Sequence, residues 1–179
     1  MDIFKKYLSS MELKLDDKGK KMWNTWIPID VPLDHAIGFR KNMNSQLSEA
    51  LKMLQLDGHI NNSFTFFDIA AAEGAVGCLL KKEFKEASFY ATDIRKFKCV
   101  DDVKKMGVNW YRVDINDMKK KNVDTMFDVC VMYNSFRAMN IINREHILKW
   151  FSNNSKVFIY SGHQMDLDKY GWKFLKTIG

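Results

Sequence analysis

Between residues 66 and 117 of the 179-residue chain, carboxylates recur at the ends of short apolar runs. Phe66-Phe67-Asp68-Ile69 passes into Ala70-Ala71-Ala72-Glu73-Gly74-Ala75-Val76-Gly77, where alanine and glycine let the backbone come close to a ligand before a helix opens. Asp93 closes the next run, and Asp114 and Asp117 follow a third. Carboxylates accept hydrogen bonds from hydroxyl and amino groups and pair with cations. A phosphate brought to the turn at 68–74 would instead meet two like charges, Asp68 and Glu73. A fourth apolar run ends in Tyr133-Asn134, which offers a hydroxyl and an amide for positioning a substrate. His35 and His163 are the candidate proton acceptors, one at the start of an amino-terminal helix and one just after a fifth run.

These residues need a scaffold that brings strand ends together. Phe64–Ile69, Ala87–Asp93, Trp110–Val113, Phe127–Tyr133 and Lys156–Tyr160 read as five buried strands. Between them, helical patterns are expected over 75–84, 100–106 and 138–151. Short apolar strands alternating with helices pair in parallel through right-handed crossovers, so an α/β, doubly wound, mostly parallel sheet is expected. In such a sheet, ligands sit beyond the carboxyl ends of the strands where strand order reverses.

The chain before this region follows a different grammar. Phe4, Tyr7, Leu8, Met11 and Leu15 predict a short amphipathic helix over 3–15. Pro28 and Pro32 keep 23–33 irregular or extended. Asp34 is expected as the N-cap of a long helix that ends near Gly58. The division expected is therefore 1–60 as a helical extension or lid, carrying Trp23 and Trp26, and 61–179 as the core. The tail, with Leu167, Tyr170, Phe174, Leu175 and Ile178, reads as a helix.

Composition excludes several classes. Apolar residues make up 46% and charged residues 28%, with 2 Pro and 9 Gly, which is the balance of a globular protein and not of a disordered or collagenous one. No apolar run approaches the roughly 20 residues of a membrane span, and the amino terminus lacks a secretory signal, so a cytoplasmic protein with no membrane partner is expected. Cys78, Cys99 and Cys130 are odd in number and far apart in the chain, which suits neither paired disulfides nor a zinc motif, and His35, His59, His146 and His163 form no H-x-x-x-H pair; no metal is expected. The net charge of +6 is uneven, since residues 62–117 hold nine acids and nine bases while 118–179 hold ten bases and five acids. The bases are spread out, so a solvated face is the plainer reading, and nucleic acid is not the expected partner.

Asp68-Ile69-Ala70-Ala71-Ala72-Glu73-Gly74 resembles the D-x-G-x-G-x-G turn of the class I (Rossmann-like) S-adenosylmethionine-dependent methyltransferases, with alanine in place of glycine at 70 and 72. Asp93 in Ala91-Thr92-Asp93-Ile94 is similar to that family's second acid, and Val113-Asp114-Ile115-Asn116-Asp117 to its third motif. The resemblance covers about 63–161. It implies S-adenosylmethionine as cofactor and S-adenosylhomocysteine as product, bound by Asp68, Ala70, Ala72, Glu73, Gly74, Asp93, Ile94, Asp114, Ile115, Tyr133 and Asn134. In it, Asp68 orients the turn and the amino-acid end of the cofactor, Asp93 takes both ribose hydroxyls, and Asp114 accepts from the adenine amine with Ile94 and Ile115 against the ring. A full family domain continues past strand five with a helix and an antiparallel strand pair. The stretch after Ser161 is long enough for the helix only, so those last strands are expected to be missing.

The expected activity is methyl transfer to a small-molecule or sugar-type acceptor, most simply O-methylation, with His163, His35 or Tyr133 as catalytic group. Residues 133–136, Tyr-Asn-Ser-Phe, lack the N-P-P-Y motif of amino methyltransferases on adenine or glutamine. Two rivals stay open. Ala72-Glu73-Gly74-Ala75-Val76-Gly77 also reads as a degraded G-x-G-x-x-G of an NAD(P)-dependent oxidoreductase. A catalytically inactive Rossmann-like binding or scaffold subunit, in one version RNA-binding, is the other.

Overall fold

The strand-forming runs are apolar on both faces because the sheet they build is covered on both sides. In the computed structural model, which describes residues 2–13, 29–118, 125–133, 141–161, 167–173 and 175, these runs form β1 (Thr65–Ile69), β2 (Ser88–Asp93), β3 (Val108–Arg112), β4 (Phe127–Tyr133) and β5 (Ser155–Ser161). Every pairing is parallel and the order is β3-β2-β1-β4-β5. Adjacent residues on β1 show why alternation is absent: Phe66 and Phe67 are both fully buried, on opposite faces. Each such side chain contributes about 1.5–3 kcal/mol of burial. The chain order reverses between β1 and β4, which makes the carboxyl end of β1 the natural place for a ligand.

One face is covered by α2 (Leu33–Leu56), α3 (Ala75–Glu83) and α4 (Val100–Lys105), through Leu47, Leu51, Leu54, Val76, Leu80 and Val103. The other is covered by α1 (Ile3–Ser9), α5 (Ile115–Met118) and α6 (Ile141–Asn154). On that second face Phe4 stacks on Phe127 at 4.0 Å, and the Tyr90 hydroxyl donates to Asp2 Oδ2 at 2.6 Å. The two amino-terminal helices thus lie on opposite sides of one sheet.

The helix limits differ from the sequence expectation in four places. α1 stops at Ser9 instead of running to 15, because the Ser10 hydroxyl donates to the Tyr7 carbonyl at 2.7 Å and Leu13 N–H turns to the Arg112 carbonyl on β3. α2 is capped by Pro32, not Asp34: proline fits a helix start, and Asp34 falls inside the first turn, where its charge suits the helix dipole. α6 extends past the expected end at 151 to Asn154, whose side chain donates back to the Trp150 carbonyl at 2.7 Å. Among the described tail residues, the chain forms only a 3-10 turn at Asp168–Tyr170. Trp23, Trp26 and Lys119-Lys120-Lys121 lie outside the described residues. No helix of the described residues is long and apolar enough to cross a membrane.

Candidate functional site

The turn after β1 keeps a left-handed rhythm that its alanines oppose. Ala70 (φ 57°), Ala72 (φ 53°) and Gly74 (φ 88°) all have positive φ, at the three alternate positions where the resembling motif carries glycine. For an L-residue with a Cβ this conformation costs about 1–2 kcal/mol. Neighbouring bonds hold it: Ala71 N–H donates to the Thr92 carbonyl at 2.8 Å, Ala72 N–H to Asp93 Oδ2 at 2.9 Å, and the Trp110 indole N–H to the Ala72 carbonyl at 3.1 Å. Gly74 has a steric reason as well as a conformational one, since a Cβ there would lie 3.0 Å from Trp110 Cδ1 and 3.1 Å from Val103 Cγ1.

The turn brings three acids into one buried cluster. Asp68, Glu73 and Asp93 are each 5% exposed or less. Burial pushes the Asp68 carboxyl from its usual 3.8 up to about 8; Arg40 opposes the rise, and the charges of Asp93 and Glu73 add to it. Two arginines answer this acidity. Arg40, from α2, donates through Nε to Glu73 Oε1 at 3.1 Å. Arg95 forks onto Asp93, Nε to Oδ1 at 3.0 Å and Nη2 to Oδ2 at 3.0 Å, and its own backbone N–H reaches Oδ1 at 2.8 Å. Arg95 is held charged chiefly by this hydrogen bonding to Asp93. The groups border a cleft of about 170 Å³ lined by Arg40, Met43, Asp68, Ala70, Ala71, Ala72, Arg95 and Tyr133.

Asp68, Ala70, Ala72 and Tyr133 line this cleft, with Glu73, Gly74 and Asp93 built into the same turn network. The Tyr133 hydroxyl, at the end of β4, donates to Gln46 Oε1 on α2 at 2.8 Å. Ile94 is half-buried next to Asp93, with its carbonyl accepting from Arg112 Nε at 3.0 Å. Asp114 accepts the backbone N–H and the side-chain amide of Asn116 on one oxygen, both at 2.9 Å, and Ile115 packs toward the core face that holds α1 and α6. His35 is exposed near the start of α2 and is not among the cleft-lining residues. Asn134 and His163 lie outside the described residues.

Sequence reasoning missed Arg40, Met43, Gln46 and Arg95. The first three recur at every third position on α2, so they share the side of the helix that faces the strand ends. A signal for Arg95 was present: a cation two positions after a strand-end acid can fold back onto it. Among the described residues no cluster of His, Cys, Asp and Glu could hold a metal ion.

Neither the family models nor the sequences of curated proteins give a match to this chain. Solved structures match it in shape. The plantazolicin methyltransferase BpumL, in complex with a pentazolic desmethylPZN analog and SAH, superposes with a TM-score of 0.53 at 14% identity, over 72% of this chain and 52% of that one. An S-adenosylmethionine-dependent methyltransferase from Clostridium acetobutylicum ATCC 824 gives a TM-score of 0.51 at 14% identity, over 71% of this chain and 55% of that one. The chain therefore spans about half the length of these structures. Strand order, the left-handed turn after β1 and this likeness agree: the chain has the fold of the class I S-adenosylmethionine-dependent methyltransferases.

Proposed function

We propose that the chain is an S-adenosylmethionine-dependent methyltransferase that acts on a small-molecule or sugar-type acceptor through oxygen. The observation that carries this reading is the acid cluster Asp68, Glu73 and Asp93 around the turn at the switch point. A diphosphate placed at the start of α3 would meet the Glu73 and Asp93 carboxylates, and the two arginines beside them, Arg40 and Arg95, are already bonded to those acids, which disfavours an NAD(P) cofactor. An ammonium, a ribose diol and a sulfonium suit carboxylates, which accept hydrogen bonds and pair with cations.

When bound, S-adenosylmethionine supplies an electrophilic methyl group on a sulfonium and departs as S-adenosylhomocysteine. The chain's own residues do the rest. Asp68, in its ionised form, pairs with the ammonium; Asp93 takes the ribose hydroxyls; Asp114 accepts from the adenine amine, with Ile94 and Ile115 flanking the ring. Tyr133, at the end of β4, and Asn134, next to it in the sequence, position the acceptor, and His163 removes its proton. His35 is the weaker candidate for that role, being exposed on α2 and away from the cleft lining. Because a displacement needs nucleophile and leaving group in line, positioning and exclusion of water are the main work of the protein.

The test is thermal unfolding with S-adenosylhomocysteine. A hundredfold excess over Kd stabilises by about 2.7 kcal/mol, or roughly 5–10 °C for a chain of this size. NADH and NADPH should leave the melting temperature unchanged. No shift at millimolar S-adenosylhomocysteine would overturn the reading. Methyl release assayed against fractionated cell extract then identifies the acceptor class.

A further inference from the structure

The hydrogen bonds of Asp93 leave no place for a ribose. A carboxylate offers about four lone-pair positions. Here all four are taken: Oδ1 accepts from Arg95 N and Arg95 Nε, and Oδ2 accepts from Ala72 N and Arg95 Nη2. The two backbone donors belong to the turns and cannot leave without unravelling them. The two guanidinium donors belong to a side chain that is 45% exposed, against 3% for its partner. That side chain also lines the cleft. The room is short as well as the acceptors, since about 170 Å³ is below the roughly 300–1,000 Å³ of sites that take small ligands.

Resting on the reading of this site as a nucleoside pocket, we propose that Arg95 sets its affinity by competing with the ribose diol for Asp93. Adenosine-bearing ligands gain two hydroxyl–carboxylate bonds only when the guanidinium fork lets go. The released side chain has somewhere to stay: its guanidinium carbon already lies 5.2 Å from the centre of the Phe97 ring, and Glu73 is close enough to favour its charge. The bond to Asp93 is charge-assisted and bidentate, the stronger kind, so breaking it weakens every ligand that needs the diol site. A ligand without the two hydroxyls does not have to break it.

The experiment is calorimetric titration of the wild-type chain and of Arg95→Met with three probes: S-adenosylhomocysteine, adenosine and 2′,3′-dideoxyadenosine. Arg95→Met keeps the apolar stem and removes the fork. It should bind S-adenosylhomocysteine and adenosine about tenfold more tightly than wild type, with dideoxyadenosine within about twofold. Arg95→Lys, which keeps the charge but cannot fork, should fall between the two and serves if the methionine variant does not fold by circular dichroism. Wild type that binds S-adenosylhomocysteine, with folded variants that bind it equally or more weakly, would overturn the competition alone. A gain shared equally by dideoxyadenosine would also overturn it, since that would reflect cleared volume and not freed acceptors. Absence of binding by every folded form would overturn the nucleoside reading itself.

Discussion

Replacing Asp68 with asparagine should flatten the pH dependence of stability. Burial raises its carboxyl from 3.8 to about 8, with Arg40 opposing and Asp93 and Glu73 reinforcing the shift. Between those two values the folded protein holds a proton that the unfolded chain has given up. Stability from this group is therefore fully present below pH 3.8, falls as pH rises through the window, and is gone above about 8. The slope is at most about 1.4 kcal/mol per pH unit, so two units, from pH 5 to pH 7, carry up to about 2.7 kcal/mol. Asp68→Asn keeps the shape and cannot titrate. Urea unfolding of both proteins at pH 5, 6, 7 and 8 should give curves that converge or cross, the wild type losing stability relative to the variant as pH rises. Parallel curves would refute the reasoning. The same group makes a second readout available: if an ionised Asp68 pairs with the ligand ammonium, S-adenosylhomocysteine uptake at pH 7 releases about one proton. Calorimetry in buffers of different ionisation enthalpy detects this.

Arg40→Ala removes the charge that restrains Asp68, so the falling part of the stability curve should reach to higher pH; it also leaves the buried Glu73 carboxylate without its Arg40 donor, at about 1–3 kcal/mol, read from the same urea series. Gly74→Ala should destabilise by about 1–3 kcal/mol, from the left-handed φ and the contacts with Trp110 and Val103, read as a fall in urea midpoint. Ala70→Gly should do the reverse, gaining about 1 kcal/mol, because Ala70 is only half-buried and its φ of 57° favours glycine. A loss of stability on Ala70→Gly would show that the turn prefers its methyl group.

The sheet could be read from residue order because its strands are buried on both faces, and runs such as Phe64–Ile69 and Phe127–Tyr133 have no other economical use. Helix ends were less readable: Pro32 and Ser10 begin or end helices through local backbone and hydrogen-bond effects that outweigh the apolar periodicity around them. At the site, the acids were recoverable because they sit at strand ends, where periodicity stops. The arginines that answer them were not equally so. Arg95 lies two positions from Asp93, while Arg40 meets Glu73 across 33 residues, and no local pattern in one sequence reports a pair of that span. The alanines at 70 and 72 look in the sequence like a lost turn, and in the fold they adopt the backbone that glycine would have taken.

The placement of α1 sets the timetable of folding during synthesis. Its apolar side packs on Phe127 and Trp150, and its Tyr7 hydroxyl donates to the Met118 carbonyl at 3.1 Å across 111 residues of chain. At ordinary ribosome speeds, on the order of ten seconds pass between the emergence of Phe4 and that of Phe127. For that interval α1 lacks its partners on β4 and α6 and has only the earlier strands to rest on, through Tyr90 on β2 for Phe4 and the Arg112 carbonyl on β3 for Leu13, so a holding chaperone that shields its apolar side should raise the folded yield.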